Sequence, residues 1–130
     1  MIVQSISELK EIVSSDIQSG RKVLVKKGVF DIIHPGHIYA IEQFKKSANI
    51  VILLIQSDSF TKKKKGPTRP INTQLQRAQV VDGLKGVDYV YLDKSESREE
   101  YIEVLNQLKP SIVAITEGDM KKSVAYKSEY

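Results

Sequence analysis

Residues 22–37 read KVLVKKGVFDIIHPGH, and the join inside that stretch decides the fold. Its first part, KVLVKKG, is a short β-branched run that stops at Gly28, the pattern of a strand. Residues 35–47, PGHIYAIEQFKKS, put Pro35 in a first helical turn and space Ile38, Ile41 and Phe44 for an inner face. Both histidines of the chain, His34 and His37, stand three positions apart where strand gives way to helix.

The same alternation continues outward. Residues 49–55, NIVILLI, are continuously apolar, as a strand covered on both faces requires. Residues 73–86 predict a helix from a Thr cap to a Gly stop, and VDYVYL (87–92) a strand. SREEYIEVLNQLK (97–109) predicts a helix closed by Pro110, and SIVAIT (111–116) a last strand. Upstream, residues 5–20 carry a capping pattern and Leu9, Ile12, Val13 and Ile17 at helical spacing, an extra N-terminal helix within residues 1–20. The expectation is one α/β domain over residues 1–130, a Rossmann-like three-layer sandwich with a mainly parallel sheet. Ligands of such sheets bind at the carboxyl ends of the strands. Gly28 to His37 leaves the first strand there, and a basic loop, residues 56–72, leaves the second.

Composition narrows the chemistry. The chain has no cysteine, which excludes disulfides and thiolate centres. Its longest apolar run, Ile50 to Ile55, is too short to span a bilayer, and the first residues lack a secretory pattern. A cytoplasmic protein with no membrane partner is expected. The net charge is +4, and residues 56–72 hold all of it: Lys62, Lys63, Lys64, Lys65 and Arg69 against Asp58 alone. The partner implied is local and anionic.

A helix N-terminus offers unpaired N–H groups and about half a positive charge, which attracts phosphate. Two imidazoles beside those donors add directed hydrogen bonds. Spacing alone leaves two other readings open: a pair of unrelated surface histidines, or half of a metal site that no other His or Cys completes.

The ten residues GVFDIIHPGH carry more than spacing. They resemble the G-x-F-D-x-x-H-x-G-H signature of the cytidylyltransferase-like nucleotidyltransferases, with Gly28, Phe30, Asp31, His34, Gly36 and His37 all matching. SDSFTKKKKGPTRPIN, then Arg77 in LQRAQVVDGLKGVDYV, then LKPSIVAITEGDM are similar to the adenylyltransferase domain of ADP-heptose synthases, from residue 23 to about 120.

That resemblance implies attack by an acceptor phosphate on the α-phosphorus of a nucleoside triphosphate, with pyrophosphate released. An ionised phosphate needs no strong base, so positioning and charge neutralisation suffice. His34, His37, Lys62 and Arg77 are implied as catalytic phosphate contacts. Gly28, Val29, Phe30, Asp31, Gly36, Lys65, Gly118 and Asp119 are implied to bind nucleotide, with Mg²⁺ as cofactor, Asp31 near it, and no protein metal site. Chemistry does not choose among Lys62 to Lys65; alignment with the family favours Lys62 and Lys65, on a flexible loop that closes over substrate. ATP is favoured over CTP, the acceptor is a phosphorylated small molecule such as heptose 1-phosphate, and a homodimer is expected.

Two departures keep other readings open. Glu117-Gly118-Asp119-Met120 stands where the family has G-G-D-Y, and the family's later Ser/Thr segment has no counterpart before Tyr130. The expectation is that the natural chain runs on past that residue. A relative that binds nucleotide without turnover is the second reading, and a CTP-dependent or FAD-synthase-like transferase a variant of the first. Nucleic-acid binding through the lysine run is disfavoured, because Phe60 is the only ring nearby.

Overall fold

The computed structural model describes residues 1–115. Five parallel strands form one sheet in the order β1-β4-β3-β2-β5, with β1 at Ile2–Val3, β2 at Val23–Gly28, β3 at Ile50–Ile55, β4 at Tyr89–Leu92 and β5 at Ile112–Ala114. The register runs Val23 to Ile50 through Gly28 to Ile55, and Leu24 to Ile112 on the other side of β2. Helices α1 (Ile6–Gln18), α2 (Pro35–Ser47), α4 (Gln74–Asp82) and α5 (Arg98–Leu108) connect them, with a short α3 at Asp58–Lys65.

Alternation along the strands builds two cores. Val23, Val25, Ile52 and Leu54 face α1 and α5, against Leu9, Val13, Tyr101 and Leu105. Leu24, Val51, Leu53 and Ile55 face α2 and α4, against Ile41, Ala78 and Val81. Each such fully buried side chain stabilises the fold by about 1.5–3 kcal/mol. The α/β sandwich and its parallel sheet are as expected. Among the described residues no helix is long and apolar enough to cross a membrane.

The helix ends follow their sequence signals. Ser5 caps α1 by accepting from the Glu8 amide at 3.3 Å, and Thr73 and Gln76 cap α4 reciprocally. Three expectations change. Ile2–Val3 is no part of the N-terminal helix but pairs with Val90–Tyr91 as an edge strand. Ile17 and Ile38, expected on inner faces, are 37% and 39% exposed, because each lies at the margin of its helix's buried stripe. The basic segment is not wholly a loop: its first half is α3, with all four lysines in the helix's last turn.

β2 is where the chain changes direction. The link through α2 leads to β3 on one side, while α5 carries the chain back to β5 on the other. The carboxyl end of β2 is therefore the switch point at which such sheets bind ligands.

Candidate active site at the carboxyl edge of the sheet

Gly28 ends β2 with its carbonyl accepting from the Gln56 amide at 2.9 Å. A Cβ there would lie 2.6 Å from the Phe30 ring, so the ring can fold onto β2 only because the residue is glycine. Phe30 itself has φ 52°, a positive value rare for a bulky residue. That turn buries its ring in the α2-side core and reverses the chain toward α2.

His34 is the N-cap of α2, with Pro35 at the first helical position. The ring of His34 folds back so that Nδ1 accepts the Gly36 amide at 3.0 Å. A Cβ on Gly36 would meet that ring at 2.8 Å, which explains the glycine between the histidines. His37 answers from the third position: its Nδ1 accepts the His34 amide at 3.1 Å. The imidazoles thus cap one helix reciprocally, their centroids 4.0 Å apart. A neutral imidazole whose Nδ1 accepts carries its proton on Nε2. Each ring therefore keeps an Nε2–H donor at the α2 N-terminus, where the Gly36 and His37 amides are already taken by His34. Burial and the adjacent His34 lower the His37 pKa, which favours this neutral form.

Asp31 does something other than face phosphate. Its carboxylate is 1% exposed and accepts from the amides of Ile71 at 2.7 Å and Asn72 at 2.9 Å, from Asn72 Nδ2, and from Arg69 Nε at 3.4 Å. Burial pushes its pKa up, but those donors outweigh burial and hold it below the ordinary carboxylate range. Asp31 ties residues 69–72 to the histidine turn. With both oxygens engaged it does not fit a cation cage, and among the described residues no three ligating side chains cluster.

Arg77 is also placed differently from a phosphate contact. Its side chain is fully buried and donates to the carbonyls of Val29 at 2.8 Å and Asn72 at 3.0 Å, and to Asp58 at 2.6 Å. One guanidinium thereby joins the histidine turn, residues 69–73 and the start of α3. Lys62, Lys63, Lys64 and Lys65 are exposed. Lys64 lies 4.8 Å from the centre of the Phe60 ring, whose other contact is Lys27 at 4.5 Å. Gly118 and Asp119 lie outside the described residues.

The structure therefore brings Gly28, Val29, Phe30, His34, Gly36 and His37 together and joins them through Asp31 and Arg77 to the basic segment. Sequence reasoning missed the helix α3, for which the Ser57–Asp58 cap was the available signal, and the carboxylate of Glu96, which holds that cap. A parallel sheet with a helix N-terminus and two Nε2–H donors at its switch point is the arrangement of an anion-binding α/β domain. The profile of the Cytidylyltransferase-like family matches residues 25–130, and the chain belongs to that family.

Among curated proteins the chain is similar to bifunctional protein HldE of Aliarcobacter butzleri, 33% identical over 103 residues, covering 79% of this chain and 22% of that one. It is 36% identical to the HldE of Pasteurella multocida over 107 residues, 82% of this chain and 22% of the relative. The chain thus spans only about a fifth of the length of these relatives. A solved lipopolysaccharide core biosynthesis protein from Thermoplasma volcanium aligns at TM-score 0.64 and 25% identity, over 81% of this chain and 87% of that one. A pantoate-beta-alanine ligase from Francisella tularensis, at TM-score 0.59 and 19% identity over 87% of this chain and 55% of that one, shares the fold.

Proposed function

We propose that this chain transfers an adenylyl group from ATP to a sugar 1-phosphate of the heptose 1-phosphate kind, releasing pyrophosphate. The observation that carries the reading is the reciprocal histidine cap, which leaves two Nε2–H donors at the N-terminus of α2, on the switch point of the sheet. A phosphate oxygen of the acceptor attacks the α-phosphorus, the bond from that phosphorus to the bridging oxygen of the β-phosphate breaks, and pyrophosphate carries away the electron pair. His34 and His37 bind the triphosphate and stabilise the charge that develops on it. Lys62 and Lys65 neutralise the same charge from the end of α3. Backbone at Gly28, Val29 and Phe30 contacts the nucleotide, a role the family resemblance also gives to Gly118 and Asp119. Arg77 acts here by holding the Val29 carbonyl and Asp58 in place. Mg²⁺ belongs to the triphosphate in this reading, not to a protein cage. The resemblance of residues 23 to about 120 to the adenylyltransferase domain of ADP-heptose synthases supports ATP and a sugar phosphate.

The test is pyrophosphate release by His37→Ala with ATP, CTP, GTP and UTP against a panel of phosphorylated sugars and alcohols. The variant should lose about 10²–10³-fold in rate, as when one charge-stabilising donor is removed. Undiminished turnover in a pure, folded sample overturns the reading, and CTP outrunning ATP overturns its nucleotide.

A further inference from the structure

Helix α3 carries the lysine turn, but its orientation is set at the opposite end. Glu96, between β4 and α5, accepts the Ser57 hydroxyl on one carboxylate oxygen and the Ser59 hydroxyl on the other. Ser57 is also the N-cap of α3, its Oγ accepting the Phe60 amide at 3.1 Å. A hydroxyl has one proton and two lone pairs, so Glu96, by taking the proton, aims a lone pair at that amide. Its negative charge also stands at the end of α3 where the helix dipole welcomes it.

Glu96 is itself fixed. Its amide donates to Glu100 Oε2 at 3.0 Å, and the Glu100 amide donates to Ser97 Oγ at 3.1 Å, so the grip is anchored on α5. The hydroxyls of Ser57 and Ser59, with a smaller pull from Lys63, hold the Glu96 carboxyl below its ordinary range. A second grip lies one residue along: Asp58 is held by the buried guanidinium of Arg77 at 2.6 Å. Two fixed points in one turn define the axis of an eight-residue helix, and the exposed lysines lie at its far end.

We propose that Glu96 is a positioning residue that sets where Lys62 to Lys65 stand over the polyphosphate. The inference rests on the polyphosphate reading of the rim, but its structural half is testable alone. Amide exchange across Thr61 to Lys65 is compared in the full chain and in Glu96→Ala, with thermal unfolding to show that both fold. Loss of the grip should speed that exchange about tenfold while α2 and α4 are unchanged. Glu96→Gln, with one acceptor oxygen, should restore part of the protection. Unchanged exchange in Glu96→Ala overturns the proposal.

The functional half is a cycle with calorimetry, using ATP and inorganic triphosphate as probes. Glu96→Ala should weaken both about three- to tenfold, and that loss should vanish when Lys62 and Lys65 are already alanine. An equal loss in both backgrounds overturns positioning through the lysines. A wild-type chain that binds neither probe overturns the proposed function, and the exchange result then decides the Glu96 grip alone.

Discussion

The turn from Gly28 to His37 and the arm from Ser57 to Asn72 leave the same edge of the sheet, one from β2 and the other from β3. The turn is held at Val29 and Asp31 by Arg77 and residues 69–72, but its histidine cap is held by itself. Its bonds join His34 to Gly36 and His37, two and three residues apart, and Phe30 packs back onto Gly28. The arm is held by the rest of the molecule: Glu96 grips Ser57 and Ser59, Arg77 grips Asp58, and Asp31 gathers Arg69, Ile71 and Asn72. A rigid cradle and a cationic arm can thus be built at one rim by different means. The geometry of the histidine cap is written into His34 to His37, while that of the arm, like that of Val29 and Asp31, depends on partners 19 to 48 positions away.

The sharpest way to break that contrast is at Arg77, where the two segments meet. Arg77→Met keeps bulk but leaves the carbonyls of Val29 and Asn72 without their donor and Asp58 without its cation. Asp58 is half-exposed and can turn to water, which trims the loss. The expected cost is about 3 kcal/mol in urea unfolding at neutral pH. A cost under about 1 kcal/mol would show that the arm holds its place without this link.

A smaller effect tests the self-sufficiency of the histidine cap. Gly36→Ala puts a methyl 2.8 Å from the His34 ring, which must swing away and give up the Gly36 amide. The stability cost should be about 1 kcal/mol, that of a lost N-cap, and pyrophosphate release should fall by more than that cost alone explains. A variant as active as the parent would mean that the ring's place over Gly36 is not what catalysis uses.

The same contrast explains what the sequence makes legible. Strand and helix periodicities gave the parallel sheet, since each core strand meets apolar layers on both faces and each long helix carries its own cap. The motif resemblance pointed to the two histidines, and the structure shows them as partners in one helix cap because they are neighbours in sequence. The periodicities failed on Ile17 and Ile38, where spacing fits a buried stripe but only packing says how wide the stripe is. They failed on β1, two residues long and strand only because β4 lies beside it. Four lysines read as part of a flexible loop that closes over substrate until Ser57, Asp58 and Glu96 are seen to start a helix ahead of them. Asp31 and Arg77 read as phosphate-site residues because a motif gives a residue's neighbourhood, and burial decides its partners.

The remaining prediction concerns Asp31, which belongs to the turn by sequence and to the arm by its bonds. Burial raises its folded pKa, but the amides of Ile71 and Asn72 and the Arg69 guanidinium outweigh burial and hold it below the ordinary value. A depressed pKa means stability that is present at neutral pH and is lost as pH falls below the unfolded value, about 4. Asp31→Asn keeps one acceptor oxygen and no charge, so it should be about 1–2 kcal/mol less stable than the parent at pH 7. The gap should narrow steadily below about pH 4, as the parent's own carboxyl takes up a proton. Denaturant unfolding of both proteins across that range reads it directly. If the gap holds constant into acid, the charge on Asp31 is not what ties the arm to the cradle, and the neutral bonds of Asn72 must carry that link instead.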